Sequence, residues 1–497
     1  MTARGLDEAG AEPSTGYDAT LRKKTRRSII WLIGETLLEQ SFSFLIFILM
    51  ARTLPKAELG TFAIIFVVMD MGRAVASAGV FQRIARAQSL SPTQLDTIFW
   101  INVITGGLYC LAMLLFAHYA QAFFQAPLLE PVIGWMTIAL MAAALGNTHL
   151  ALKLRQFGHR TLAIRALIAG ILGAIVAVGG VFAGYGIWAF VMQRITREVV
   201  VTVFAWRSYD WRPRFRFDVA DAKADIRFGK DIVWTQLVSY LTLRSQDLII
   251  ARFMGPVLLS TYRVAWRSAE LFGPQLVSTF SIVSLQTFSR LQDDGPALRT
   301  AYRSLLRNCA LLTVPALVGY GVSGPWLVPA LFGPQWRDAG MIALPLSLLA
   351  IPFTMTYFFQ SILTARGHVR WQRHVAVADM LSTVLVTLVA VRFGLMWVAV
   401  SYVIRAYLII PIEIRLIRKV SGIGYRDHFW AFWPSLLAAS AMAAAVYGWL
   451  VQFQPTNLVE IGAVCAGGAL IYALIVLAVL PDQRERLRAL IAARSQP

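Results

Sequence analysis

Long apolar segments separated by short polar ones recur along this chain from Ser28 to Leu480. Each is close to the length of about 20 residues that a helix needs to cross the hydrocarbon core of a bilayer. We therefore predict an all-α polytopic membrane protein with about fourteen transmembrane helices. The predicted spans begin near Ser28, Leu59, Thr97, Val132, Ala163, Ile187, Asp231, Tyr262, Arg307, Ala339, Val375, Leu395, Ala431 and Leu458.

The composition supports this interpretation. Of the 497 residues, 57% are hydrophobic and only 15% are charged, and the mean hydropathy is positive. A water-soluble globular protein of this composition would expose large apolar patches, so that class is excluded.

The distribution of basic residues predicts the orientation, because Lys and Arg collect in cytoplasmic loops. Most of the 46 Lys and Arg residues fall in inner segments if both termini are cytoplasmic. The outer loops then hold only Arg52, Lys56, Arg252, Arg337 and Arg392. We interpret the net charge of +19 as topology together with attraction to anionic inner-leaflet lipids, and we predict no nucleic-acid partner.

A short repeat indicates two related halves. Residues 51–62 read ARTLPKAELGTF and residues 251–262 read ARFMGPVLLSTY, an offset of 200. Six predicted spans precede the basic segment 207–230, so the seventh span has the orientation of the first, and the repeat is parallel. We predict two six-helix lobes, related by a pseudo-two-fold axis, that enclose a central cavity. The predicted parts are a disordered cytoplasmic leader (1–27), the two lobes (28–206 and 231–416), a cytoplasmic basic linker (207–230), an inner loop with two appended helices (417–480) and a cytoplasmic tail (481–497).

Charged residues within the spans are the candidate functional residues, because each costs roughly 2.5–3.5 kcal/mol at the centre of a membrane helix. Arginine presents a planar fork of donors that suits phosphate oxygens, which favours an anionic headgroup. The candidate headgroup or cavity residues are Arg73, Arg244, Arg267, Arg263, Gln236 and Tyr240. The candidate cavity or ion-coupling acids are Glu35, Glu39, Asp70, Asp247 and Glu270.

Structural alternatives stay open for these residues. Pairs such as Arg244 with Asp247 could simply neutralise each other and orient helices. Arg263 lies one turn from the predicted outer surface and could extend its guanidinium to the interface. Arg194 and Glu198 are read as an i, i+4 pair near the inner interface.

The sequence gives no sign of catalysis or of a resident cofactor. Cys110, Cys309 and Cys465 are isolated in apolar spans, and the six His residues have no spacing typical of a metal site. A nucleotide-binding glycine loop is not found, and the predicted outer loops are short. We therefore predict a protein that is not an enzyme, with no metal and no cofactor.

Several segments, in order, resemble the bacterial polysaccharide transporters, the Wzx-like flippases of the multidrug/oligosaccharidyl-lipid/polysaccharide exporter superfamily. The resemblance runs from about Ser28 to Leu416. The segments that carry it are ELGTFAIIFVVMDMGRAVASAGVFQRIAR, SLSPTQLDTIFWIN, LRQF, GYGIWAFVMQ, DLIIARFMGPVLLSTYRVAW, FSRLQDD and LFGPQW. In LRSQD, at 243–247, related sequences often have a neutral residue in place of Arg244.

The resemblance implies a bacterial inner-membrane protein that flips a polyprenyl-pyrophosphate-linked oligosaccharide to the periplasmic leaflet by alternating access. Such a protein serves O-antigen, capsule or exopolysaccharide synthesis, alongside a polymerase and a chain-length regulator. The alternative is a cation-coupled multidrug antiporter of the same superfamily, in which the cavity acids couple to an ion. A membrane-embedded polysaccharide ligase or polymerase is a third class, which the short outer loops disfavour.

Overall fold

The computed structural model describes residues 34, 38–77, 79–87, 90–156, 159–481 and 483–485. Within these residues the secondary structure is helical and contains no strand. The predicted all-α class is therefore confirmed. The predicted leader and most of the predicted tail lie outside the described residues. Inner and outer below follow the orientation predicted from the basic residues.

The described residues of the first half of the chain form seven helices. They are α1 (residues 38–53), α2 (Lys56–Ala76), α3 (Val80–Arg86), α4 (Pro92–Phe124), α5 (Leu129–Arg155), α6 (His159–Phe182) and α7 (Ile187–Arg207). Helices α2 and α3 together form the second predicted span, and α2 ends at Ala76 while α3 begins at Val80.

The second half begins with the longest helix. The helices are α8 (Val219–Phe272), α9 (Pro274–Arg290), α10 (Gly295–Phe332), α11 (Arg337–Ser347), α12 (Ala350–Ala365), α13 (Val369–Ala390), α14 (Leu395–Ser421), α15 (Tyr425–Phe453) and α16 (Leu458–Val479). A short 3-10 turn, Pro334–Trp336, precedes α11. The basic linker predicted to end at Lys230 is thus partly helical, since α8 begins at Val219.

Helix α8 contains the outer corner of the second half. At Gly255 the backbone leaves the helical region, with φ 81° and ψ 172°, and Pro256 follows. A left-handed φ suits glycine, and proline cannot donate a backbone hydrogen bond, so the two residues break one helix into two arms. The arms run over residues 219–254 and 256–272 and correspond to the seventh span and to the start of the eighth.

Ten helical segments of the described chain are long and apolar enough to cross a membrane, or eleven with the pair α11 and α12, which is bent by 52°. One of the ten, Ile232–Arg290, has 59 residues and includes both arms of the Gly255 corner. Helix α7 is absent from the ten and contains four charged residues, Arg194, Arg197, Glu198 and Arg207. When broken spans are joined, the described helices correspond to the fourteen predicted ones, and the predicted count agrees with the structure.

The chain divides into two compact units. The first unit comprises residues 68–118 and 130–237 with the chain up to residue 47. The second comprises 48–67, 119–129 and 238–497, and so includes the outer ends of α1 and α2.

Each unit has its own apolar core. In the first, α3, the start of α4 and the end of α5 bury a cluster of Val80, Ile84, Leu95, Ile98, Ala151 and Leu152. In the second, α10 packs against α11 and α15. Asp427 anchors the start of α15 to α10, because its buried carboxylate accepts two hydrogen bonds from Arg299 Nε and Nη2 and also contacts Arg303.

Candidate functional site

A cluster of charged residues in the first unit surrounds Glu198 on α7, whose side chain is 6% exposed. Its Oε1 atom accepts a hydrogen bond from Arg73 Nη2 at 2.7 Å and lies 3.3 Å from Arg197 Nη1 and 3.5 Å from Arg194 Nε. Arg197 also donates to Glu39 Oε1 on α1 at 2.9 Å. We call Glu39, Arg73, Arg194, Arg197 and Glu198 the first-unit cluster. It joins α1, α2 and α7 through ion pairs.

The first-unit cluster changes the predicted pairing. Arg194 and Glu198 do form the expected i, i+4 pair. Glu198, however, is the centre of the cluster and also holds Arg73 from α2, 125 residues earlier in the sequence. Asp70 is half-buried on α2, one turn before Arg73. Glu35 lies outside the described residues.

A second charged cluster lies in the second unit, on the two arms of α8. Arg244 Nη1 is 3.4 Å from Asp247 Oδ2, and Arg263 Nη1 is 3.5 Å from the same oxygen. Arg263 Nη1 is also 3.9 Å from Glu270 Oε1, and Arg267 Nη1 donates to Glu270 Oε2 at 2.9 Å. We call these five residues the second-unit cluster. Arginines and carboxylates alternate along it, so each acid is shared by two arginines.

The break at Gly255 brings the two halves of the second-unit cluster together, because it folds residues 256–272 back beside residues 238–254. The five side chains are between 6% and 24% exposed, and Arg263 is 13% exposed. Arg263 therefore contacts two carboxylates instead of extending to the outer interface, and the snorkelling alternative is wrong for this residue. Three arginines face two carboxylates, which leaves one formal positive charge in excess.

The remaining candidates on α8 precede the second-unit cluster. Gln236 and Tyr240 are half-buried and lie eight and four residues before Arg244, on the same face of the helix. Gln236 and Tyr240 stay predicted contributors to the site.

Sequence reasoning missed a group of three neutral polar side chains beside the second-unit cluster, those of Gln246, Tyr262 and Thr387. Gln246 is buried, accepts a hydrogen bond from Tyr262 Oη and donates to Thr387 Oγ1 on α13 at 3.4 Å. Buried amides need such partners, so these bonds fix the α8 arms against each other and against α13. The helical spacing of polar residues on α8 can be seen in the sequence. The sequence does not show that Gln246 on α8 contacts Thr387 on α13.

The two repeated corners, residues 51–62 and 251–262, both lie in the second unit and contact each other there. The carbonyl of Ala51, in the last turn of α1, accepts hydrogen bonds from Gln335 Nε2 at 2.7 Å and from Trp336 Nε1 at 2.8 Å. Arg52 donates to the carbonyls of Leu331 and Ala330, both at 2.7 Å, in the last turn of α10. Carbonyls at helix ends lack intrahelical partners, and a cation is favourable at a helix C-terminus. These bonds therefore join α1 to the end of α10.

Gly60, in the first corner, lies directly against the backbone of Pro256 in the second corner. A side-chain carbon at Gly60, on α2, would overlap the carbonyl group of Pro256. Lys56 lies over the ring of Trp336, with its ammonium 5.5 Å from the ring centroid. We call Gly60, Pro256, Ala51, Arg52 and Trp336 the outer contact. It holds the first corner of the repeat directly against the second.

A separate ion pair lies between α13 and α14. Arg405, 6% exposed at its side chain, contacts Asp379, and its guanidinium lies 4.5 Å from the ring centroid of Tyr402. A cleft of about 380 Å³ between these helices is lined by apolar side chains together with Ser382, Ser401 and Arg405. The described residues contain no group of three His, Cys, Asp or Glu placed to hold a metal ion.

Residues 49–341, more than half of the chain, match the profile of the family described as polysaccharide biosynthesis protein. The chain belongs to this family. The sequence-based resemblance is thereby confirmed, and the protein is a multi-pass membrane member of the polysaccharide biosynthesis family.

Individual relatives of this polysaccharide biosynthesis protein are distant but cover much of it. The lipopolysaccharide biosynthesis protein WzxC of Escherichia coli (strain K12) is 22% identical over 450 residues, which cover 87% of this chain and 90% of WzxC. The succinoglycan biosynthesis transport protein ExoT of Rhizobium meliloti (strain 1021) is 23% identical over 331 residues, 66% of this chain and 67% of ExoT.

Solved structures show the fold of the family member. The lipid II flippase MurJ, in an inward closed conformation, superposes with a TM-score of 0.67 at 14% identity and covers 92% of this chain and 99% of MurJ. An inward-facing multidrug resistance transporter of the MATE family and MOP superfamily gives a TM-score of 0.61 at 15% identity, covering 80% and 98%. The chain therefore shares its fold with these two structures.

Proposed function

We propose that this protein flips polyprenyl-pyrophosphate-linked oligosaccharides from the inner to the outer leaflet by alternating access. The observation that carries the proposal is the second-unit cluster, in which three arginines face two carboxylates on membrane-spanning helices. Family membership and relatives named for polysaccharide biosynthesis and transport support the substrate class.

The charge of the second-unit cluster suits an anionic headgroup. An excess positive charge within a membrane is costly, and a bound pyrophosphate would balance it. Each guanidinium can bind two phosphate oxygens in parallel, and charge-assisted bonds of this kind are worth about 1.5–3 kcal/mol. Arg244 and Arg267 lie at the two ends of the cluster, so they are the arginines we propose to bind the pyrophosphate.

The acids of the second-unit cluster moderate the binding. A transporter has to release its substrate, and equal tight binding in both conformations would shift no equilibrium. Asp247 and Glu270 compete with the pyrophosphate for the same guanidinium groups, which keeps the affinity moderate. We propose that both acids serve this purpose.

The membrane potential can drive transport in this direction. Moving a negative charge outward across an inside-negative membrane releases about 2.3 kcal/mol per charge per 100 mV. A diphosphate headgroup would therefore move downhill without a coupling ion, while its polyprenyl tail stays in lipid. A polymerase and a chain-length regulator acting on the exported repeat units are the expected partners.

The test is to neutralise Arg244 and Arg267 separately by glutamine in cells that lack the native copy. We expect export to fall by about tenfold to a hundredfold, because each variant loses one or two charge-assisted hydrogen bonds to the pyrophosphate. Analysis of polyprenyl-linked intermediates should then show oligosaccharide accumulating in the inner leaflet. Arg267→Lys keeps the charge without the planar fork, and we expect it to restore export only in part.

The matched control is Arg392→Gln, which removes an exposed arginine from the short turn between α13 and α14. It should leave export unchanged. Normal export in both cluster variants would refute the proposed headgroup site. Efflux of organic cations by the native protein, together with normal surface polysaccharide after its deletion, would favour the multidrug antiporter.

A further inference from the structure

The connection between α7 and α8 forms an exposed surface of arginines and aromatic rings on the first unit. Residues 209–218 are not helical. Arg212, Arg214 and Arg216 are exposed, Phe215 is 94% exposed and Phe217 is 49% exposed. We call these five residues the 212–217 surface. A fully exposed phenylalanine between arginines is unusual for a segment that only links two helices.

Side chains of α4 hold this segment in a fixed position. The backbone N–H of Arg214 donates to Asp96 Oδ1 at 3.1 Å, and its carbonyl accepts from Trp100 Nε1 at 2.9 Å. The backbone N–H of Asp218 donates to Thr97 Oγ1 at 3.1 Å. Asp96 and Thr97 are buried, so the segment is bound to the core of the unit at Arg214, in the middle of the exposed surface, and at Asp218, directly after it.

The aromatic rings of this segment pack in two directions, some toward the core of the unit and one toward its exposed surface. Tyr209 and Trp211 pack against the apolar core of the first unit. Phe215 instead stacks on Trp100, with ring centroids 4.9 Å apart and an interplanar angle of 22°. The guanidinium of Arg212 donates to the carbonyl of Tyr209 at 2.6 Å. The arrangement therefore presents Phe215 and the arginines outward as a preformed surface.

The segment begins where α7 ends and is bonded to the first turns of α4, so the 212–217 surface lies at the inner end of two helices that the sequence predicts to span the membrane. At this level lipid phosphates are close to arginines, and aromatic rings can enter the upper acyl region. We propose that the 212–217 surface is a binding site for the headgroups of anionic phospholipids. Arginines contact the phosphate, and Phe215 and Phe217 enter the acyl boundary.

The test uses the full-length purified protein in a mild detergent, titrated with phosphatidylglycerol or phosphatidylcholine and followed by native mass spectrometry. The variant carries Arg212→Gln, Arg214→Gln and Arg216→Gln together. Each arginine near an anionic surface contributes about fivefold to affinity, so phosphatidylglycerol binding should weaken on the order of 100-fold. Binding of phosphatidylcholine should not change. Retention of native phosphatidylglycerol affinity would overturn the proposal.

A matched control removes the same charge from other exposed positions at the predicted inner face. It carries Arg370→Gln, Arg373→Gln and Arg418→Gln, all on the second unit. This variant should keep the high-affinity phosphatidylglycerol adduct. An equal loss in the control would mean that only the general basic charge of the protein attracts the lipid, which overturns a defined site.

Two further variants separate folding from binding. The double change Arg214→Gln with Arg216→Gln leaves the Arg212 hydrogen bonds intact, and should weaken phosphatidylglycerol about 25-fold. Phe215→Ser keeps every charge and should weaken the long-chain lipid while sparing its short-chain analogue. No loss in either variant would contradict the proposed roles.

Competitors identify the source of the phosphate. Inorganic phosphate should fail to displace phosphatidylglycerol, and displacement at similar concentrations would overturn a lipid site in favour of a free-anion site. Undecaprenyl phosphate should compete no better than phosphatidylglycerol. Displacement at about tenfold lower concentration would instead assign the surface to polyprenyl carriers and refute a phospholipid site.

Discussion

Replacing Gly60 by alanine tests whether the outer contact has to separate during transport. The added methyl group would overlap the carbonyl of Pro256, which is backbone and cannot rotate away. Overpacking a close contact typically costs about 1–3 kcal/mol. If the contact opens to relieve this overlap, the equilibrium between closed and open corners shifts by roughly fivefold to 150-fold.

A buried reporter cysteine measures that shift. Ser260 is fully buried, one turn after Pro256, so Ser260→Cys should react with a membrane-impermeant maleimide only when the corners separate. Cys110, Cys309 and Cys465 are first replaced by alanine to remove background labelling. We expect labelling from outside to accelerate by the factor given above when Gly60→Ala is added.

Gly179→Ala in α6 is the matched control, because a side-chain carbon there would meet no atom within 4 Å. Alanine also favours a helix over glycine, so this control should fold at least as well. Labelling of the reporter should keep its original rate. An unchanged or slower labelling rate with Gly60→Ala would refute the reasoning. It would mean that small local shifts relieve the overlap while the two corners stay in contact.

Two other changes test the packing and the ion pairs of the second unit. In Gly340→Ala the new carbon would lie 2.6 Å from the carbonyl oxygen of Gly324, and we expect α10 and α11 to separate with a loss of about 1–3 kcal/mol, seen as a lower thermal midpoint in detergent. Asp379→Asn leaves Arg405 buried without its carboxylate, and because the side chain of Asp379 is 35% exposed we expect a loss of about 2 kcal/mol, below the usual range for buried pairs. Adding Arg405→Met should restore part of that stability.

Each of these two predictions has a distinct contrary result. For the packing contact, Gly462→Ala on α16 is the control, since nothing lies within 4 Å of that position. Equal midpoints for Gly462→Ala and Gly340→Ala would contradict the close approach of α10 and α11. For the ion pair, a double variant less stable than Asp379→Asn alone would contradict the prediction. It would show that other contacts of Arg405 stabilise the protein by more than its unpaired charge destabilises it.

The sequence was sufficient for features that depend on one helix at a time. Apolar length predicted the spans, and helical spacing predicted the pairs Arg244 with Asp247 and Arg267 with Glu270, which the structure shows at 3.4 and 2.9 Å. Such pairs follow from the geometry of a single helix. The repeat at an offset of 200 also related residues 51–62 to residues 251–262, and the second of these segments contains the break at Gly255 and Pro256.

Features that depend on which helices touch were beyond the sequence. Arg73 is one turn from Asp70, yet its guanidinium lies 2.7 Å from Glu198 on another helix. From the sequence Arg263 could either line the cavity or extend to the interface, and the turn at Gly255 folds it back against Asp247. Spacing specifies the face of a helix on which a residue lies, and only tertiary packing decides what that face meets.

For the pyrophosphate site that we propose, the alternation of arginine and carboxylate in the second-unit cluster would also have a kinetic consequence. A site built of arginines alone would offer a departing pyrophosphate no replacement, so release would have to break all its bonds in one step. Here each guanidinium already has a carboxylate within 2.9–3.5 Å, and bonds can be exchanged one at a time as the product leaves. In the proposed cycle the empty carrier would return with its guanidinium groups still paired, so the acids that we propose to weaken binding would also shorten the cycle.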